Sequence, residues 1–254
     1  ALVGMVAAGL PRGARVICPE EEFTSVIFPF LVREDLEVSL VPLADLAESI
    51  TPGTDLVAFS LVQSADGRVA DGKAIAGVAR DCGAITLVDA TQAAGWLPFD
   101  AEDYDITVTG AYKWLMSPRG TAFMTVRPES IDRPALLYPG WYAGESPWEA
   151  IYGSPLRLAN NARRFDLSPG WLAWVGTAAA LRFIQSIGVE EIHQHNVALA
   201  NTFRGELGLP ESNSAIVSLK LPSTTDRDRL QKLRTSERAG RLRVGFHLYN
   251  KQAD

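Results

Sequence analysis

Residues 87–100 (LVDATQAAGWLPFD) and residues 103–129 (DYDITVTGAYKWLMSPRGTAFMTVRPE) contain the pattern that decides the fold. Each segment holds a short run that is apolar nearly throughout, which predicts a strand buried on both faces in a mostly parallel sheet. The first run ends in Asp89, and Lys113 comes just past the end of the second. Because ligands bind at the carboxyl ends of strands in open α/β sheets, we expect a functional site at this edge.

The alternation of strands and helices extends to both sides of these segments. Strands are predicted at residues 14–18, 55–61, 84–89, 105–109 and 121–126, and helices at residues 24–32 and 72–81. Strands that alternate with helices predict an α/β fold, with a mostly parallel sheet sandwiched between helical layers. Residues 1–10 already have a helical pattern without a cap before it. We therefore expect the N-terminal part of this domain to precede the present sequence.

The pattern changes after residue 128. Residues 134–163 are rich in Pro, Gly, Trp and Tyr without a clear period, which is typical of a functional or interface segment. Ser168 then predicts the cap of a long helix that ends near residue 187. Beyond it, the sequence predicts a helix at residues 189–205, strands at residues 215–219 and 242–246, and a charged helix at residues 225–233. The predicted domains are a large α/β domain (1–165) and a connecting helix with a small α+β domain (166–254).

Composition excludes several classes of protein. A net charge of −6 argues against nucleic-acid and anionic-membrane partners, because both require clustered Lys and Arg. No apolar run approaches the ~20 residues of a membrane-spanning helix. The only two cysteines, Cys18 and Cys82, cannot form a disulfide framework or a zinc site. We expect a cytoplasmic protein without a bound metal ion.

Asp89 and Lys113 each have an alternative interpretation. A lone aspartate after a strand is often a turn or cap residue, and a lone lysine often lies on the surface with its charge in water. Gln92, three residues after Asp89, and the apolar and aromatic neighbours of Lys113 favour a functional site. Partial desolvation would lower the pKa of Lys113 and leave its amine free to act as a nucleophile.

Together these segments resemble the core signature of the class V aminotransferase family, which includes cysteine desulfurases, kynureninases and isopenicillin N epimerase-like proteins. The resemblance extends from residues 19–31 (PEEEFTSVIFPFL) to residues 241–250 (RLRVGFHLYN). It implies the type I fold of pyridoxal-phosphate (PLP) enzymes, PLP as the cofactor, and a homodimer with shared active sites.

The resemblance also implies roles for individual residues. Lys113 would carry the cofactor as a Schiff base and then move protons at the substrate α-carbon. Asp89 would pair with the ring nitrogen and keep it protonated, and Gln92 would hydrogen-bond the phenolic oxygen of the ring. The implied contacts to the phosphate are Tyr112, Thr109 or Gly110, and Ser168 of the neighbouring subunit.

Further assignments rest on the same resemblance. The ring of Phe23 would stack on the cofactor, although a core phenylalanine is the plain alternative. Arg243 would grip the substrate carboxylate through a bidentate pair, with an exposed strand arginine as the alternative. Gln63 and Ser64 would lie near the ring. The remaining titratable candidates are expected to be surface or structural residues: His193, His195 and His247.

The sequence differs from the family at two places. The Gly/Thr-rich phosphate loop would lie just before residues 1–10, and residues 235–240 (TSERAG) lack the cysteine that desulfurases place there. A desulfurase is therefore disfavoured, and the prediction is an aminotransferase for an amino acid or amine, with a PLP-dependent lyase or epimerase as the alternative. A nucleotide-binding α/β protein would need a G-x-G-x-x-G turn, which is absent. A catalytically silent binding protein is the third hypothesis.

Overall fold

The computed structural model describes residues 1–221 and 235–253. Six strands form the main sheet in the order β2-β1-β3-β4-β5-β6. The first five strands are parallel and β6 is antiparallel to β5. Their bounds are β1 (Arg15–Pro19), β2 (Glu37–Val41), β3 (Leu56–Ser60), β4 (Ile85–Asp89), β5 (Ile106–Gly110) and β6 (Ala122–Val126). The predicted α/β fold with a mostly parallel sheet is confirmed.

Helices cover both faces of this sheet. The helices are α1 (Leu2–Gly9), α2 (Thr24–Leu31), α3 (Leu46–Ser49), α4 (Gly72–Cys82), α5 (Trp171–Ile187) and α6 (Val189–Glu206). Alternate strand residues point to opposite faces, so Val57 and Phe59 pack in the cluster that includes α3 and α4. Leu56 and Ala58 pack on the other face, against α1 and α2. This double burial explains why the strands are apolar throughout.

A small antiparallel sheet lies beyond the helices. It has the order β7-β9-β8 and consists of β7 (Ile216–Leu219), β8 (Ser236–Arg238) and β9 (Arg241–Gly245). It docks on the loop after β3, where Ser214 Oγ donates to the carbonyl oxygen of Gly67 at 2.6 Å. Gly67 has φ +79°, and a Cβ there would lie 2.5 Å from Ile216 Cβ, so glycine permits this close contact.

Local structure differs from the prediction at Ser168 and at residues 235–240. Helix α5 begins at Trp171 with Gly170 at its cap, so Ser168 lies too far before the first turn to cap it. Residues 235–240, where no strand was predicted, contain strand β8 and a turn. The predicted helix at residues 225–233 lies outside the described residues. Strand β2 was not predicted because it is a largely exposed edge strand, and helix α3 was not predicted because it has only four residues.

Within residues 1–221 and 235–253, no single helix has both the length and the apolar composition needed to cross a membrane. Helices α5 and α6 satisfy that test only when they are taken together, and they are bent by 80° relative to each other.

Candidate active site

The carboxyl ends of β3, β4 and β5 meet at one edge of the main sheet. Ser60, the last residue of β3, is opposite Asp89, the last residue of β4. Asp89 is in turn opposite Val108 of β5, and Lys113 lies in the turn that follows β5. The parallel register therefore brings the predicted acid and the predicted lysine to the same edge.

Asp89 lies in a network that ties the two turns together. Its Oδ1 accepts a hydrogen bond from Thr91 N at 2.7 Å, and Thr91 Oγ1 accepts one from Gly110 N at 2.9 Å. Burial raises the pKa of Asp89 above its ordinary value, and the nearby charge of Glu22 adds to the rise. Hydrogen bonds from Thr91 and the charge of Lys113 oppose it. The ionised form of Asp89 is therefore disfavoured unless a positive charge lies beside it.

Glu22 is a buried carboxylate beside Asp89, and its two side-chain oxygens accept four hydrogen bonds. Oε1 accepts from Phe23 N and Ser60 Oγ, both at 2.7 Å. Oε2 accepts from Ser60 N at 2.7 Å and Gln63 Nε2 at 2.9 Å. These bonds compensate its burial and fix the start of α2 against β3. Sequence reasoning missed Glu22, because nothing in the run of residues 20–22 indicates which glutamate turns inward.

Lys113 lies among aromatic rings in a partly buried position. Its Nζ is 5.4 Å from the ring centroid of Phe23 and 6.0 Å from that of Tyr112. Phe23 is 41% exposed, so its ring lies in the cleft rather than in the core. Burial lowers the pKa of Lys113, and Asp89 acts in the opposite direction. Three cations add to the lowering: Arg243, Arg238 and Arg119. The amine is therefore neutral more often than a lysine in water, as a nucleophile requires.

Cationic groups flank Tyr112 on two sides. The Arg119 guanidinium carbon lies 4.2 Å from the centroid of the Tyr112 ring, and Lys113 approaches the same ring. Thr109 is buried at the end of β5 next to Gly110. This end of the site favours an anion. Sequence reasoning did not select Arg119, although an arginine in a Pro-Arg-Gly turn soon after the lysine was the available signal.

Gln92 connects the main sheet to the small sheet. Its Oε1 accepts from Trp114 Nε1 at 2.8 Å and lies 3.4 Å from Arg243 Nη2 on β9. Its Nε2 donates to Ser64 Oγ at 3.2 Å. Arg243 Nε is buried and has no hydrogen-bond partner in the part of the chain that the structure describes. A partly buried guanidinium with an unpaired Nε is suited to bind a carboxylate in the cleft.

Ser168 is exposed before α5. Among the described residues, no hydrogen bond, ion pair or ring contact joins it to the cluster. The three histidines make structural contacts. His193 stacks on Trp96 with ring centroids 5.8 Å apart, His247 stacks on Trp114 at 5.1 Å, and His195 Nε2 lies 3.0 Å from Asn250 O.

Comparisons with known proteins agree with this geometry. The family model for aminotransferase class-V matches residues 19–227. An uncharacterized aminotransferase, YcbU of Bacillus subtilis, is 31% identical over 206 residues, which cover 77% of this chain and 54% of the relative. A probable cysteine desulfurase of Ureaplasma parvum is 27% identical over 217 residues, covering 79% of this chain and 52% of the relative. The chain thus spans about half the length of these curated relatives.

Solved structures show the same fold. The apo structure of a cysteine desulfurase from Thermococcus onnurineus superposes with a TM-score of 0.84 at 23% identity, covering 99% of this chain and 73% of that one. The complex of a cystine C-S lyase with its product cysteine persulfide gives a TM-score of 0.86 at 22% identity, covering 99% and 76%. The architecture is therefore the type I fold of PLP-dependent enzymes, as the sequence resemblance implied.

The raised pKa of Asp89 predicts that Asp89→Asn stabilises the cofactor-free protein at neutral pH. The unfolded chain ionises at the ordinary aspartate pKa of about 3.9, so the cost of the buried carboxyl group grows as the pH rises from that value toward the raised pKa. Well below that ordinary pKa the side chain is protonated in both states and the difference vanishes. We expect Asp89→Asn to melt at a higher temperature than the wild type at pH 7 to 8, with the difference shrinking as the pH falls toward 4. Thermal melts followed by circular dichroism from pH 4 to 8 measure it.

Asp105→Asn is the matched control for this prediction. The Asp105 carboxylate precedes β5 and accepts hydrogen bonds from Thr86 N and Thr86 Oγ1, both at 2.9 Å. Its removal should give no stabilisation at any pH. An Asp89→Asn protein that melts at or below the wild-type temperature at pH 8 would contradict the interpretation of Asp89.

Proposed function

The chain belongs to the aminotransferase class-V family, and on that premise we propose that it is a PLP-dependent enzyme that acts on an amino acid at the α-carbon. The observation that carries the proposal is the meeting of Lys113 and Asp89 at the carboxyl edge of the main sheet. The first has a lowered pKa and the second a raised one, and such opposed shifts in one cleft favour acid–base chemistry.

The donors and acceptors of the site fit PLP. Asp89 would hold the protonated ring nitrogen, and the positive charge of that nitrogen would stabilise the ionised carboxylate. Lys113 would bind the cofactor covalently, and the exposed ring of Phe23 would cover its face. Gln92 would donate to the ring oxygen. The residues proposed for the phosphate are Tyr112, Thr109, Gly110 and Arg119. When bound, PLP supplies an electron sink for negative charge that develops at the substrate α-carbon.

Two residues of this chain would act directly on the substrate. Arg243 would bind the α-carboxylate through the guanidinium group whose Nε has no partner among the described residues. Lys113 would accept and return the proton at the α-carbon, because desolvation keeps its amine neutral at a lower pH than a solvated lysine. The aromatic neighbours Phe23 and Tyr112 would keep water from this amine.

The comparisons favour a lyase over the aminotransferase that sequence reasoning placed first. Matched relatives include probable cysteine desulfurases and a kynureninase, and one similar structure is a cystine C-S lyase. A mechanism with a cysteine nucleophile before β9 has no support here. Residues 235–240 contain no cysteine, and burial raises the pKa of Cys18 to about 12. We therefore place a lyase without such a cysteine first and an aminotransferase second.

Product analysis of the PLP-loaded chain tests this proposal. With a panel of amino acids, a lyase should release its product without any added keto acid. Lys113→Ala should lower kcat by roughly 10²–10⁴-fold, which is the contribution of a general acid–base group. Lys73→Ala is the control, because Lys73 is exposed and, among residues 1–221 and 235–253, forms an ion pair with Asp103 alone, at 3.6 Å. A strict requirement for a second keto acid would identify an aminotransferase. Cofactor binding without any turnover, or full activity of Lys113→Ala, would contradict the proposal.

We also propose that two copies of the chain form a dimer through an exposed apolar surface around the start of α5. We call this surface the aromatic patch. It consists of Trp148, Tyr152, Leu156, Trp171, Leu172 and Val175, all of which are largely exposed. Internal ring contacts hold it in shape, including Trp141 with Trp148 at 5.3 Å. Contiguous apolar surface of this kind marks an interface. Ser168 lies beside it in the chain and would reach the partner subunit's phosphate.

Single substitutions test the proposed interface. Leu172 is 90% exposed in the aromatic patch, and Val32 is 77% exposed at the end of α2 outside it. A buried unpaired charge opposes association, so Leu172→Glu should shift the chain to monomers by at least tenfold in Kd, whereas Val32→Glu should not. Sedimentation equilibrium measures both. Equal effects of the two substitutions, or a wild-type monomer, would exclude the patch as the interface.

Hybrid dimers test the role of Ser168. A Lys113→Ala chain mixed with a Ser168→Asp chain yields one site with an intact Lys113 and an intact partner Ser168. Activity well above the sum of the two parents is expected. No recovery, with hybrids shown to form, would remove Ser168 from the site.

A further inference from the structure

Two tryptophans hold Gln92 through their indole N–H groups. Trp96 Nε1 donates to the main-chain oxygen of Gln92 at 2.6 Å, and Trp114 Nε1 donates to the side-chain Oε1 at 2.8 Å. The two indole rings also contact each other, with centroids 5.4 Å apart. Of these two bonds, only the one from Trp114 is made to the side-chain amide, which faces the functional site.

The partners of the amide determine which of its two ends is oxygen. An indole N–H and a guanidinium can only donate, so the atom shared by Trp114 and Arg243 must be an acceptor. The hydrogen-bond partners alone therefore identify this end of the amide as the oxygen. The amide nitrogen is then on the other side, where one N–H donates to Ser64 Oγ. The second N–H is the polar group of this side chain that remains for a ligand.

Trp114 is itself held firmly. It is 6% exposed, and the ring of His247 stacks on it at 5.1 Å with an interplanar angle of 7°. Tyr249 stacks on the far side of His247 at 4.5 Å. Gly95, with φ +102°, allows a close approach, since a Cβ there would lie 2.9 Å from Trp114 O. The indole N–H therefore has little freedom to leave Gln92.

The two donors to Gln92 Oε1 are not equivalent. The contact from Arg243 is 3.4 Å, at the limit of a hydrogen bond, whereas that from Trp114 is 2.8 Å. A carboxylate in the cleft would compete for Arg243, because a charged acceptor binds guanidinium more strongly than an amide does. Trp114 would then be the donor that still fixes the amide.

We propose that Trp114 is a positioning residue that locks the Gln92 amide so that this side chain offers the cofactor a donor and never an acceptor. The proposal rests on the proposed function for the identity of the ligand, a ring oxygen that carries negative charge. The lock itself is a property of the cofactor-free chain, so it can be tested separately.

The first measurement uses the ¹⁵N-labelled chain without cofactor. The side-chain NH₂ signals of Gln92, identified by their loss in Gln92→Leu, should be sharp and shifted from those of a freely solvated glutamine amide in the wild type. Trp114→Phe keeps an aromatic ring and removes the N–H, and it should broaden both signals or move them toward the solvated values, because the amide can then turn about its Cγ–Cδ bond. Trp96→Phe removes the same group from the main-chain contact and should leave both signals sharp. Equal responses, or no response to Trp114→Phe, would overturn the lock.

The second measurement uses the PLP-loaded chain. A donor to the ring oxygen stabilises its deprotonated form, so the pH midpoint of the visible absorbance spectrum should rise when the donor is misplaced. We expect a rise of roughly half a unit to one unit in Trp114→Phe, given the strength of hydrogen bonds to charged groups, and no rise in Trp96→Phe. Gln92→Glu keeps the shape and the bond from Trp114 but lacks any amide N–H, and it should raise the midpoint at least as much.

The two measurements separate the possible failures. If the wild type shows no visible band, the proposed function fails, and the amide signals still decide whether the lock exists. If the band is present and Trp114→Phe leaves its midpoint unchanged while Gln92→Glu raises it, Trp114 does not position Gln92. Should Trp114→Phe not fold, an unchanged midpoint in Gln92→Glu alone would also reject the proposal.

Discussion

The register of β3, β4 and β5 is the constraint on which the rest of the site depends. It places the ends of the strands side by side, so that Asp89 and Lys113 share one partly dehydrated edge. In that setting a carboxylate and an amine both resist ionisation, and burial is the largest cause for each. The ionised forms of both groups are therefore less stable in this fold than in water, and a ligand that carries complementary charges would stabilise both.

A second layer of residues supports this pair. Glu22 joins the start of α2 to the end of β3 through four hydrogen bonds and sets the position of Phe23. Gln92 joins the main sheet to the small sheet through Trp114 and Arg243. The site is thus built from segments far apart in the chain, and the small sheet contributes its arginine only because it docks on the loop at Gly67.

Local sequence patterns sufficed for most of the architecture and for part of the site. The apolar runs that predicted the strands are buried by helices on both faces, and Asp89 and Lys113 follow those strands directly. Glu22 and Trp114 could not be selected in this way, because their importance comes from contacts with residues distant in sequence. Arg119 was missed although its Pro-Arg-Gly turn follows Lys113 closely. The start of α5 was predicted too early, since a Ser-Pro-Gly string does not indicate which of its residues takes the cap position. Strand β8 of the small sheet was not predicted, because a three-residue strand is too short to show a periodic pattern.

We propose Lys113 as the residue that binds PLP opposite Asp89. Borohydride reduction of the PLP-loaded chain, followed by proteolysis and mass spectrometry, identifies the lysine that is labelled. One phosphopyridoxyl group per chain is expected, on the peptide that contains Lys113. A label on Lys73, Lys220 or another lysine, with Lys113 unmodified, would contradict it.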